Sequence, residues 1–308
     1  MIYNLTCRDN INDKELGKLK RNRIWSVLLV IALMLVVVAC GNNATTETPK
    51  ESVEPAVTAP VETPAAAPEV TSATIEEIKK RGKLIIGTSG NFRPMTYMDE
   101  QSQIAGMDID IGTMIAEKLG VEIEFVPGNI AGLIPGMIAG KFDLVMSALS
   151  ETEERKKSID FSIPYGKDGT VAVTLKDSTN VEDVTKLSGL VTGVIGGSAT
   201  HTVIEGIGGY KELKEYPGSA EAFTDLKAGR IDVYAVGNIA ANDFIKTDKS
   251  EKPLKLVGEV SSIKNMGVGM RKNEPELKAL IDELIEEKMN DGTIDAIAIK
   301  WVGAPLPK

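Results

Sequence analysis

Two short stretches constrain this chain more than anything else in it. Ala139-Gly140-Lys141-Phe142-Asp143 and Ala228-Gly229-Arg230-Ile231-Asp232 repeat one pattern: a helix end stopped by glycine, a basic residue, then an apolar–Asp entry into a strand. The same order of segments surrounds each copy. In the first half, Thr74-Ile75-Glu76-Glu77 has capping-box spacing and predicts a helix to about Arg81, with Gly82 as its stop and a strand over Lys83 to Gly87. Gly106 to Gly120 predicts a strand edge followed by a helix with Ile111, Met114, Ile115 and Leu119 as its apolar stripe. Val121 to Val126 alternates as a strand, Ile130 to Ala139 reads as a helix despite Pro135, and Phe142 to Met146 is the next strand. In the second half, Leu190 to Ile195 is a strand running into Gly196-Gly197-Ser198 and a helix; Ser219 to Ala228 is helical and Ile231 to Val236 a strand. Glu274 to Trp301 holds two more helices, broken at Asn290 to Thr293, with Leu277, Leu280, Ile281, Leu284 and Ile285 facing a core. Such alternation implies α/β lobes with largely parallel sheets covered by helices. A single α/β domain is the alternative; a folded part of more than two hundred residues with a visible half-repeat favours two lobes.

The ends of the chain carry a different message. Lys18, Lys20, Arg21 and Arg23 precede an apolar run from Ile24 to Val38, shorter than the ~20 residues that span a bilayer comfortably. Val37-Val38-Ala39-Cys40 resembles a bacterial lipobox, which implies a signal peptide over residues 1–40 and lipidation of Cys40; a plain transmembrane anchor is the alternative. The stretch before Lys18 is long and partly acidic for a signal, as an early start codon would produce. Cys7 and Cys40 are the only cysteines, so cleavage before Cys40 leaves one, lipid-bearing, with no disulfide framework and no cysteine metal site. An α/β core of this size needs no such staple. Residues 41–72 are rich in Pro, Thr, Glu and Ala without apolar period and predict a disordered tether, reaching roughly 100 Å at ~3.1 Å per residue. The net charge is −9, and near −12 once the +3 leader is removed. An acidic chain without a basic, aromatic-interleaved patch is not expected to bind nucleic acid.

The chemistry concentrates in Asp143 to Tyr165 (DLVMSALSETEERKKSIDFSIPY). An apolar strand ends in Ser147, Ala148 and Ser150, and a short charged helix follows with Arg155. Backbone amides, hydroxyls and a planar guanidinium at one strand end suit a small carboxylate. The alternative is a surface helix whose Arg155 pairs with Glu151 or Glu154. The segment resembles the signature of extracellular solute-binding protein family 3, the polar amino-acid receptors of ABC importers, and other motifs continue the likeness from about Ile75 to Gly303, including PELKALIDELIEEKMNDGTIDAIAIKWVG. The resemblance implies a two-lobed periplasmic-binding-protein type II fold, α/β throughout, with a ligand cleft between lobes and two hinge strands crossing near Lys167–Thr170 and Ile263–Met266. It places residues 73–167 and 265–308 in the first lobe and 168–264 in the second. It implies that Ser150 and Arg155 grip the ligand α-carboxylate and that Phe92 packs on the ligand, with Ile130 as a second wall. Ser89 and Asn91 follow the first strand beside Phe92, whose alternative role is to cover the core. Across the cleft, Gly197, Ser198, Ala199 and Thr200 form a glycine-rich turn whose N–H groups can approach an anion; alone, such a turn is often a mere connector.

One departure stands out. The family's aspartate for the ligand α-ammonium aligns with Gly237, followed by Asn238, and a second family aspartate aligns with Ser89. A buried ammonium without counter-charge costs several kcal/mol. Three resolutions are open: the ligand lacks an ammonium; Asn238, Ser89 and the Phe92 face replace the charge by dipoles and cation–π attraction; or Glu151 turns inward.

A second likeness, to periplasmic cyclohexadienyl dehydratases, runs through Thr88–Pro94, Ala105–Asp110, Phe161–Tyr165 and Lys167-Asp168-Gly169. That branch implies a glutamate and a lysine where this chain has Thr200 and Thr170, and a tryptophan-like wall where it has Ile130; neither hydroxyl releases a proton readily near neutrality. A dehydratase is therefore the alternative and a binding protein the expectation. His201 is the only histidine, which leaves no histidine pair for a metal, and it reads as a cleft-edge residue; Asp108 and Asp110, alternating along a strand-like edge, read as structural. The expected protein is a monomeric lipoprotein on the outer face of the cytoplasmic membrane or in the periplasm. It needs no cofactor and no metal, and its partners are a small carboxylate ligand (an amino acid or analogue), an ABC permease and the membrane through its lipid.

Overall fold

Each copy of the repeat closes the same hydrogen-bonded corner. Gly140 (φ 76°) and Gly229 (φ 70°) end their helices in the left-handed region, where a Cβ is unfavourable. The amides of Lys141 and Arg230 turn back to Gly136 and Asp225 carbonyls. Asp143 then exchanges two bonds with Ile85, amide to carbonyl and amide to carboxylate, both 2.8 Å, and Asp232 does the same with Val191 at the same distances. The aspartate of each repeat thus locks its strand's entry to the neighbouring strand.

The computed structural model describes residues 73–308, within one compact unit, Ala66–Lys308. The signal segment, the tether and Cys7 and Cys40 lie outside the described residues. Helix α1 (Ala73–Arg81) starts one residue before the capping-box threonine, because Thr74 Oγ1 donates to Glu274 (2.9 Å). Strand β1 (Lys83–Thr88) leads into a small three-stranded antiparallel sheet of β2 (Asn91–Phe92), β3 (Thr96–Met98) and β4 (Ile104–Ala105). Helix α2 (Met107–Leu119), β5 (Glu122–Pro127), α3 (Ile130–Ile138), β6 (Leu144–Val145), α4 (Glu153–Ser158) and β7 (Ile159–Phe161) follow. The strand-like edge expected over Asp108 and Asp110 is helix instead: β4 stops at Ala105, and both aspartates lie in the first turn of α2, where acidic residues suit the dipole.

Strand β8 (Gly166–Leu175) enters the second sheet with β9 (Val191–Ile195), α5 (Ala199–Ile207), β10 (Glu212–Tyr216), α6 (Ser219–Lys227), β11 (Val233–Gly237) and α7 (Asn238–Thr247). Strand β12 (Leu254–Met266) returns to β13 (Gly269–Arg271), α8 (Pro275–Asn290) and α9 (Thr293–Trp301). The first sheet has the order β5-β1-β6-β13-β7 and the second β10-β9-β11-β8-β12. Both are mixed rather than largely parallel, since β13 pairs antiparallel with β6 and β7, and β8 antiparallel with β11 and β12. Strands β8 and β12 pass between the sheets side by side, with Asp168 opposite Lys264 and Gly166 opposite Met266. Leu277, Ile281, Leu284 and Ile285 of α8 bury against the first sheet's core with Ile86, Ile111 and Met270. A separate core of Phe223, Tyr234 and Val236 lies on the second sheet. The two sheets thus carry distinct cores and face each other across a cleft.

Candidate functional site

The anion-facing side of the cleft is built from chain order. Strand β6 ends at Val145, and Thr152 caps α4 by accepting the Arg155 amide (3.2 Å). The Arg155 guanidinium donates Nη1 to Ser150 O (2.9 Å) and reaches across with Nη2 to Gly197 O (3.3 Å). The surface-helix alternative does not hold. Glu151 bonds Lys156 (2.7 Å) and accepts from Asn265 (3.0 Å), and Glu154 bonds Lys157, so Arg155 has no acidic partner among the described residues. Glu151 does not turn into the cleft. Burial lowers the Arg155 pKa to about 10, which still leaves it charged at neutrality.

Facing it, Ser198 caps α5 by accepting the His201 amide (3.0 Å). The amides of Ala199 and Thr200 in that first turn have no acceptor among the described residues, so their partial positive charge is available to a ligand. Gly197 plays another part than expected. Its amide donates to His201 Nδ1 (3.1 Å) and only its carbonyl meets Arg155. A Cβ on Gly197 would stand 2.7 Å from Ala131 Cβ of α3, so the glycine lets the lobes touch. Asn91 Nδ2 to Pro217 O (2.8 Å) and Arg93 to Asp243 (2.9 Å) join the lobes farther out.

Between these walls lies a cleft that is partly open to solvent. Ser89, Asn91, Phe92, Ile130, Ser147, Ala148, Ser150, Arg155, Ser198, Ala199, Thr200 and Gly237 all line it. Asn238 does not: it opens α7, and its side chain accepts from Asn242 (2.8 Å). Ser89 is engaged by Ser147, Oγ to Oγ at 2.8 Å. The Thr170 and Thr200 hydroxyls face each other at 3.3 Å.

Sequence reasoning missed Asp168, Ile195 and Tyr234 to Val236, which also line the cleft. The three apolar strand residues and Ile195 were legible as strand ends. Asp168 was not, because only the pairing of β8 with β11 brings it beside Gly237. Its Oδ1 accepts from the amides of Gly169 (2.9 Å) and Ile239 (3.2 Å), capping α7, whose N-cap Gly237 has no side chain. Burial pushes the Asp168 carboxyl from an ordinary 3.8 up to about 6, against the lowering pull of those amides and that of Asn238.

A second buried carboxylate supports the floor. Asp108 is fully buried; it accepts from the Ala148 amide (2.5 Å) and the Tyr165 hydroxyl (2.8 Å). This holds Ala148 at φ 45°, uncommon for a residue with a Cβ. Burial raises the Asp108 carboxyl from 3.8 to about 6, although both hydrogen bonds pull it down. The folded protein therefore keeps a proton that the unfolded chain has released between those values, and stability falls as pH rises through that window, by about 3 kcal/mol for this group. Asp108→Asn removes the titration while keeping an acceptor. Urea unfolding of parent and variant from about pH 4 to about pH 7 should show the variant gaining on the parent by that amount; parallel curves would refute it.

Two mixed α/β lobes, two crossing strands and a cleft holding an unpaired guanidinium define a two-lobed receptor for a small ligand. Residues 84–304 match the model of bacterial extracellular solute-binding proteins, family 3, and the chain belongs to that family. It is similar to the L-cystine-binding protein TcyJ of Escherichia coli K12, 29% identical over 236 residues, covering 76% of this chain and 88% of that one. Among solved structures it resembles an ancestral amino acid-binding protein, a precursor of cyclohexadienyl dehydratase, with TM-score 0.70, 31% identity and coverage of 75% of this chain and 100% of the other. It likewise resembles AbpA, an amino acid ABC transporter substrate-binding protein of Streptococcus pneumoniae solved with L-arginine, with TM-score 0.69, 29% identity and coverage of 76% and 100%.

Proposed function

We propose that this solute-binding protein captures an α-amino acid in the cleft and presents the closed form to an ABC permease. The observation that carries the reading is Arg155, a half-buried cation with carbonyl contacts and no carboxylate partner among the described residues, opposite the open amides of Ala199 and Thr200. A ligand α-carboxylate would satisfy both walls and draw the lobes together, which is the population shift such a receptor needs. Relatives named for binding cystine and histidine, and the arginine in AbpA, support an amino acid. Residues 73–167 and 265–308 would form one lobe and 168–264 the other. Lipid on Cys40 would tether a monomer to the outer face of the cytoplasmic membrane through residues 41–72. Binding rather than dehydration is favoured because Thr170 and Thr200 offer only hydroxyls.

The test is a thermal-shift screen of the purified chain against the standard α-amino acids and cystine. At least one should raise Tm by several degrees; no response to any would sink the reading. Intact mass of membrane-fraction protein checks for a diacylated Cys40 at the mature N-terminus.

A further inference from the structure

Position 237 offers no carboxylate to a ligand's amine. Geometry supplies one from elsewhere. A Cβ built on Gly237 would run into Asp168 Oδ2, and would lie 3.3 Å from Phe92 Cζ. The Asp168 carboxylate therefore occupies the space that a side chain at 237 would fill, against the edge of the Phe92 ring. Its backbone bonds fix its direction: Oδ1 holds the Gly169 and Ile239 amides, and no cation pairs with either oxygen among the described residues. Asp168 lines the same cleft as Arg155, and it sits on β8, one of the two strands that pass between lobes.

We propose that Asp168, in the space left by Gly237, is the counter-charge for the ligand's α-ammonium and sets the preference for amino acids over acids lacking the amine. This rests on the amino-acid reading above. One carboxylate performs two tasks that a residue at 237 would otherwise perform, capping α7 with one oxygen and receiving the ammonium with the other. The ligand then bridges Arg155 on the first lobe to Asp168 on a crossing strand, so both ends of the zwitterion report to the hinge. Burial that raises the Asp168 carboxyl toward neutrality fits a group that gains from an incoming cation.

Asp168→Asn tests this, because the amide oxygen can still cap α7 while the charge is gone. Calorimetry would measure L-arginine, L-histidine and L-cystine, each beside the same acid lacking its α-amino group, on parent and variant. The parent should prefer the amino form of whichever acid it binds, and the variant should lose at least about tenfold for that form with little change for its amine-free counterpart. A variant that keeps the parent's preference, or weakens both forms equally as a purely structural role would, overturns the assignment. A parent that binds both forms equally overturns it too, while leaving the carboxylate grip of Arg155 intact. A parent that binds neither form of any of the three, and responds to none of the standard α-amino acids in the thermal-shift screen, defeats the amino-acid reading itself. Should Asp168→Asn fail to fold, the double variant Asp168→Gly with Gly237→Asp, which restores a natural N-cap to α7, carries the same test: retained amine preference supports the exchange of roles between the two positions, and lost preference overturns it.

Discussion

Replacing Arg155 with alanine is expected to weaken binding of the cognate amino acid by about a hundredfold or more, read by calorimetry, while the empty protein melts within a few degrees of the parent. The asymmetry follows from what the guanidinium touches. Its hydrogen bonds go to the carbonyls of Ser150 and Gly197, and no acid among the described residues depends on it. Those carbonyls can take water in a cleft that is partly open. With a carboxylate present, two charge-assisted bonds at about 1.5–3 kcal/mol each are lost together, which sums to two or more powers of ten in affinity. Lysine at the same position keeps a charge but not the fork, so Arg155→Lys should recover only part of the loss. Equal affinity in parent and alanine variant would show that the carboxylate is held elsewhere.

The contrast between Arg155 and Asp168 explains what the sequence could and could not reveal. Arg155 was legible because strand, hydroxyls, cap and guanidinium are contiguous, and local order alone aims them at one strand end. The half-repeat was legible for the same reason: Asp143 and Asp232 each act within one lobe, on the strand next to their own. Asp168 enters the site through long-range register, Gly237 lying opposite Thr170, and no short-range pattern encodes that. Gly197 and Asn238 sit otherwise than their motifs alone suggest, for a related reason. The His201 and Asn242 side chains reach back one helical turn and occupy the groups that isolated motifs would offer to a ligand. The sheets were expected to be more parallel than they are because alternation reports on strands joined through helices. It carries no information about a strand such as β12 that returns from one lobe to the other.

Substituting Gly106 with alanine is expected to cost about 4 kcal/mol or to prevent folding, the largest stability effect foreseen for one added methyl group. Gly106 sits at φ 132°, ψ 177°, a region essentially reserved for glycine and worth roughly 1–3 kcal/mol of strain for any other residue. Its Cβ would also run into Met95 O and lie 2.6 Å from Met95 C and 2.8 Å from Pro94 O, backbone atoms that cannot swing aside; overpacking of that kind adds about 1–3 kcal/mol. The contact is close because the start of α2 is stitched to this loop, with the Met107 amide on Pro94 O (3.1 Å) and the Asp108 amide on Met95 O (2.9 Å). The loop carries Phe92 and the helix carries Asp108, which holds Ala148 on the cleft floor. A shift at Gly106 therefore reaches the aromatic wall and the floor together, and any folded variant should bind more weakly as well as melt earlier. Gly206, inside α5 with nothing within 4 Å of its would-be Cβ, is the control: alanine there should be neutral or stabilising by up to about 1 kcal/mol. Urea midpoints for the two variants side by side decide it, and equal midpoints would show that the Gly106 corner yields without cost.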